Sequence, residues 1–170
     1  MTHCVEALKI WTETNSVNVL YDTVIDEFTD DKLFQSVYGK KNVAIIGITT
    51  DGDVFGAFYR FAMTRREANQ PGLIAFSFES NGRCQTPHVF PVNPMMRYQA
   101  RVTFCKNESD RRFVFFDSGP GWFHLGDEKA RSYCYYLARG FDGLDNFTLT
   151  GKNTGYEPHH CTRLIAVQLL

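Results

Sequence analysis

The sequence predicts an α+β fold that is mostly β: a two-sheet antiparallel β-sandwich flanked by a few short helices. Three observations carry that expectation. The 170 residues include 15 Phe, 8 Tyr and 2 Trp, and large flat side chains favour the pleated, half-buried surface of a strand. About eight stretches read as strands, most of them bounded by short turns. Helical stretches are missing between those strands, which argues against a parallel α/β sheet with its crossover helices.

The elements follow in order. Thr2 to Trp11 spaces Val5, Leu8 and Trp11 three apart, on one face of a short helix. "VNVLYD" (Val17–Asp22) alternates and is β-branched, so it reads as a strand. In "FTDDKLFQSVYGK", Thr29 is placed to cap a helix and Asp30 and Asp31 complement its dipole. Leu33, Phe34 and Val37 form its apolar face and Gly39 follows its end. "NVAIIGIT", "VFGAFYRF" and "GLIAFSFE" read as buried strands. Pro87, Pro91 and Pro94 then interrupt any regular ladder. "RYQARVTFC" and "RRFVFFDS" read as strands joined by the polar turn "KNESD". "GPGWFHLG" gives a turn and a short strand, and "SYCYYL" a further candidate. "ARGFDGLDNFTLTGKNTGYEPHH" reads as irregular, and "TRLIAVQLL" as the last strand.

No repeat or linker divides the chain, so residues 1–170 are expected to form a single domain, with residues 1–14 as an N-terminal helical extension. Eighteen basic residues against nineteen acidic ones leave a net charge of −1, which supplies no overall field for nucleic acid. The start "MTHCVEALKIW" lacks the basic flank and apolar run of a signal peptide, and "LIAVQLL" is too short to span a bilayer. A cytoplasmic location without membrane insertion is expected, with the nucleus as the alternative. The five cysteines (Cys4, Cys84, Cys105, Cys134 and Cys161) are odd in number and widely spaced, which reads as free thiols. The sequons at Asn107 and Asn146 are then chance matches.

Four stretches tempt a chemical reading. Asp51-Gly52-Asp53 resembles half of a calcium loop, but Phe55, Ala57, Tyr59 and Ala62 stand where oxygen ligands are needed. The same Asp-Gly pair between two apolar runs is a hairpin signal, and a type I′ turn is expected. Gly56 is expected to permit a bulge or close packing against a neighbouring aromatic. "GYEPHHC" holds Glu157, His159, His160 and Cys161, yet adjacent histidines on a strand point to opposite faces and paired zinc spacing is missing. No metal and no cofactor are expected. "SNGRCQTPHVF" sets Cys84 beside Arg83 with His88 four residues on, a combination that could lower a thiol pKa and supply a base. "TRREAN", with Arg60 close by, contributes the basic side chains Arg65 and Arg66, whose default is a solvated surface. Phosphate-binding glycine loops are absent from the sequence.

Several of these segments, taken in order, resemble the TLDc domain family. Leu20-Tyr21, Phe34, Asp51-Gly52, Phe55-Gly56-Ala57-Phe58 and Phe76-Ser77-Phe78 fall in the family's order, "GWFHLGDE" resembles its glycine-aromatic strand, and "RLIAVQLL" stands at its closing strand. The second half departs: the family's Thr-Phe-x-Asn segment and final Glu-x-Trp are not recognisable, and "NGRCQTPHVFPVNP" has no counterpart. The resemblance is that of a divergent member. It implies a sandwich of two sheets flanked by short helices, no enzymatic residues to transfer, and a link to oxidative-stress resistance. Some members bind the vacuolar proton-pumping ATPase, so a protein partner of that kind is implied.

The expectation is therefore a regulatory, non-enzymatic interaction module that binds a protein partner through Arg83, Cys84 and His88 in the Ser80–Pro94 loop and through Arg60, Arg65 and Arg66. One alternative is a DNA-binding regulator whose arginine face adds Arg111 and Arg112. The other is a redox-sensing or catalytic cysteine at Cys84.

Overall fold

Among the described residues, eleven strands build two sheets that are antiparallel throughout. The computed structural model describes residues 2–106, 111–152 and 156–170. The greater part of the turn expected at "KNESD", the sequon at Asn107 and Gly155 lie outside the described residues. The first sheet has six strands in the order β1 (Val17–Asp22), β11 (Cys161–Leu169), β2 (Val43–Thr49), β3 (Val54–Tyr59), β5 (Ile74–Glu79) and β6 (His88–Pro91). The second has five, in the order β10 (Cys134–Tyr135), β9 (Gly121–Gly126), β8 (Arg112–Ser118), β7 (Ala100–Phe104) and β4 (Glu67–Asn69). The mostly-β sandwich expected from the sequence is the fold observed.

Two strands beyond those expected are β4 and β6, at sheet edges. β4 lies at the end of "TRREAN", whose polar residues carry no strand signal. β6 runs through the proline-bearing stretch, and Pro91 is tolerated because an edge strand leaves one side of its backbone unpaired. "RYQARVTFC" becomes a strand only from Ala100, because Pro94–Gln99 coils into a 3-10 helix. In "SYCYYL" only Cys134–Tyr135 pairs, and Leu137–Gly140 forms the short helix α3.

The space between the sheets is filled with rings. Phe55 of β3 meets Phe123 of β9 with centroids 5.8 Å apart, and Phe123 meets Phe116 of β8 at 5.1 Å. Tyr21, Tyr59, Phe90, Phe104 and Phe141 are also fully buried. This is the use to which the unusual aromatic content is put, since each ring removes a large apolar area from water. β2 and β3 are apolar on both faces: the inner face meets the second sheet, and helix α1 (Thr2–Thr12) covers part of the outer one. Their inner residues Val43, Ile45, Phe55 and Ala57 face the second sheet. Their outer residues Ala44 and Phe58 lie under α1, which packs Leu8 there and stacks Trp11 on Phe78 at 5.7 Å. α1 is thus part of the packed body.

Helix α2 (Asp30–Val37) forms as its local signals dictate. The Thr29 hydroxyl accepts a hydrogen bond from the Lys32 N–H (3.2 Å), Leu33, Phe34 and Val37 are buried, and Gly39 follows with φ +70°. No helix among the described residues is long and apolar enough to cross a membrane.

Candidate functional site

The hairpin Thr49–Asp53 organises one end of the sandwich. Ile48 pairs with Val54, and the Thr49 N–H donates to the Asp53 carbonyl (2.9 Å), which leaves a three-residue loop, Thr50-Asp51-Gly52. Gly52 alone takes a left-handed conformation there (φ +88°). The expected type I′ turn is therefore corrected to a three-residue loop with a glycine bulge, a form that asks for one left-handed residue rather than two. The physical reason lies in the flanks: the Asp53 N–H is taken by the Thr49 hydroxyl (3.0 Å), and Thr50 N–H donates to the His160 carbonyl (2.9 Å). Gly56 does admit a close approach, but to backbone rather than to an aromatic. A Cβ there would collide with the Ile45 carbonyl oxygen and stand 2.9 Å from its carbon.

The two aspartates of the hairpin have protein partners. Asp51 pairs with Lys152 at 2.8 Å. Asp53 is 1% exposed, and its Oδ1 receives the Arg83 guanidinium and the Asn81 amide (2.7 Å). Arg83 also donates to the carbonyls of Thr148 (3.1 Å) and Leu149 (3.2 Å). Its single planar cation ties the β2–β3 hairpin to the 144–151 segment. A carboxylate this deeply buried needs a counter-charge, and Arg83 supplies it.

This placement changes the reading of the Ser80–Pro94 loop. Arg83, expected to face a partner, is turned inward for Asp53. Cys84 is half-buried against the core, with its N–H bonded to the Ser80 hydroxyl (3.0 Å) and its Sγ 3.4 Å from the same oxygen. His88 is exposed at the start of β6, where its ring packs on Phe90 at 4.8 Å. Cys84 thus leans on a serine and His88 on a phenylalanine, so the neighbours that hold each do not compose a nucleophile and its base.

The arginines scatter in role. Arg66 pins α2 to the second sheet: it pairs with Asp31, lies 3.5 Å from Asp30, donates to the Cys105 carbonyl (2.6 Å) and covers the Phe34 ring at 4.7 Å. Arg111 pairs with Asp127. Arg112 lies 3.4 Å from the His124 Nε2. Arg60 and Arg65 are exposed, Arg60 beside Phe58 at 5.5 Å and Arg65 beside Glu67. Arg66, Arg83 and Arg111 thus spend their charge on carboxylates of the same chain, which weakens a phosphate-binding face.

No family model matches the chain, and no curated protein matches it.

The histidine stretch behaves as strand geometry requires. His159 is buried and the following His160 is half-exposed. The His159 Nε2–H donates to the His124 carbonyl (2.9 Å), and the His124 Nδ1 accepts from the Tyr133 N–H (3.0 Å). Burial lowers both imidazoles, His124 to about 3 with help from the Arg112 charge, and His159 to about 4. Burial also pushes the Cys134 and Cys161 thiols up to about 12 and raises that of Cys105. None of these three is an activated nucleophile.

Sequence reasoning missed the most exposed apolar surface near the loop. The 3-10 helix Pro94–Gln99 presents Met95 (84% exposed) and Tyr98 (79%), with the Arg97 guanidinium 5.1 Å from the Tyr98 ring. A signal was available. Asn93-Pro94 is a helix-start pair, and the Asn93 Oδ1 indeed accepts from the Met95 N–H at 3.0 Å.

Proposed function

We propose that the chain is a non-enzymatic, TLDc-like interaction module that acts by protein–protein contact in a cytoplasmic or nuclear response to oxidative stress. The observation that carries this reading is the surface at edge strand β6 and the 3-10 helix. There His88 stands exposed on β6, paired with β5, and Met95, Arg97 and Tyr98 stand exposed on the 3-10 helix that the Asn93 cap holds. Met, Tyr and Arg are residue types enriched at interface centres, where a few large side chains carry most of the binding energy. The resemblance adds support, because its residues occupy β1, α2, the hairpin, β3 and β5 in order, and it names a vacuolar-type ATPase as the partner to try first.

The test compares the wild-type protein with Met95→Glu/Tyr98→Glu as bait. Vacuolar ATPase subunits, or another defined protein, should bind saturably to the wild type. The double variant should lose about tenfold or more in affinity, given what central hot-spot residues contribute, at unchanged thermal stability. Equal binding by both baits would defeat the reading. So would retention on DNA that falls steeply with salt, the mark of phosphate contacts.

A further inference from the structure

The outer face of the six-stranded sheet is apolar over a wider area than α1 covers. α1 sets Leu8 and Trp11 against Phe76, Phe78 and their neighbours at one side. Beside that contact Ile46, Ile48, Val54 and Ile165 continue the apolar face across β2, β3 and β11, each only half-buried. A sheet face that meets water ordinarily carries polar residues at these alternate positions. Ile46, Val54 and Ile165 pack against the cluster that includes Ala7 and Leu8 of α1, yet all four aliphatic side chains stay half-buried, so α1 leaves part of this face open.

They form the floor of a cavity of about 190 Å³, walled by Cys4 and Val5 of α1 and by Val17 and Val19 of β1. Val19, 56% exposed, stands at its lip. Among the described lining residues only Asp22 and Arg163 are charged, and they are bound to one another: the Arg163 Nε–H donates to Asp22 Oδ1 at 2.8 Å, and a terminal N–H to Oδ2. The wall therefore carries no net charge.

We propose that this cavity is a binding site for a small uncharged apolar molecule, of the size range from benzene to indole. An apolar cavity of about 150 Å³ suffices to stay dry and bind benzene, and this one is somewhat larger. A long acyl chain would leave most of its methylenes in water. A charged ligand would leave water for a wall whose only cation and only anion already satisfy each other. Cys4 contributes to the wall and serves as a reporter.

The experiment titrates indole, with benzoate as a charged control of similar size, into the full chain. Two readouts are followed: amide shifts by heteronuclear NMR and the alkylation rate of Cys4 mapped by mass spectrometry. Indole is expected to saturate, with shifts centred on Val19, Ile46, Ile48 and Val54. It should slow Cys4 alkylation about tenfold at about ten times its Kd, by mass action, and leave Cys84 unchanged. Benzoate should bind more weakly. Val19→Trp, which fills the cavity from its lip, should abolish both effects, and Ile48→Phe is the second variant should the first not fold. The proposal is overturned by shifts that do not saturate within the solubility of indole. It is equally overturned by unaltered Cys4 alkylation in the wild type, or by equal binding of indole in the filled variants.

Discussion

Arg83 and Asp53 lie 30 positions apart in sequence, and neither position reveals the other. A buried carboxylate left without its cation is costly, so Arg83→Met should destabilise the fold by about 3 kcal/mol. Arg83→Lys should recover little of this, because one ammonium point cannot serve Asp53 and two carbonyls in the plane of a guanidinium. Urea denaturation checks both, and a Met variant as stable as the wild type would remove the clamp from the account. Two glycines of the same hairpin should separate conformation from space. At Gly52 nothing lies within 4 Å of an added Cβ, so Gly52→Ala carries only left-handed strain, about 1–2 kcal/mol. Gly56→Ala meets the Ile45 backbone and should cost about 3 kcal/mol or more, since a carbonyl in a ladder cannot step aside. Thermal midpoints of the two variants would rank them.

At the scale of the element, what was legible followed the range of the signal. Helix α2 was readable because its cap, its acidic first turn, its apolar face and its closing glycine all lie within about three turns. Thr29→Ala should accordingly cost about 1 kcal/mol, measurable by chemical denaturation, and a neutral result would mean the cap is replaced by water. The hairpin was readable as a hairpin from Asp51-Gly52, but its loop length was not. That length is fixed by Thr49 and by His160, more than a hundred residues away. β4 and β6 were unreadable for a different reason. They are short edge strands of polar or proline-bearing sequence, and only the neighbouring strand makes them strands. The candidate site suffered most. Arg83, Cys84 and His88 are near neighbours in the chain, while the fold sends the first to Asp53, the second to Ser80 and leaves the third outside.

For the whole molecule, the two buried imidazoles set the response to acid. His124 and His159 are held neutral, with values near 3 and 4 against an ordinary 6.5. The unfolded chain binds protons on both below about pH 6.5 while the folded chain does not, so unfolding takes up protons and stability falls with falling pH. The loss begins below pH 6.5 and continues until pH passes the folded values near 4 and 3. Denaturant midpoints should therefore drop between pH 7 and pH 5, and His159→Gln should flatten the slope across that window. An unchanged midpoint over the same interval would show that these rings are not neutral in the fold.

The place of β11 bears on how the molecule is made. Residues 161–169 lie between β1 and β2 as the second of the six strands of the first sheet, with Val17 opposite Leu169 and Ile46 opposite Ile165. Until a ribosome has translated that stretch, β2 has one unpaired edge and β1 has no partner at all. While the more than one hundred residues that separate β2 from β11 are being made, the nascent protein carries an open, strongly apolar strand edge, the state in which chains most readily pair with one another. How long that edge stays open, and chaperone cover during translation, then bear on its yield alongside the stability of the finished sandwich.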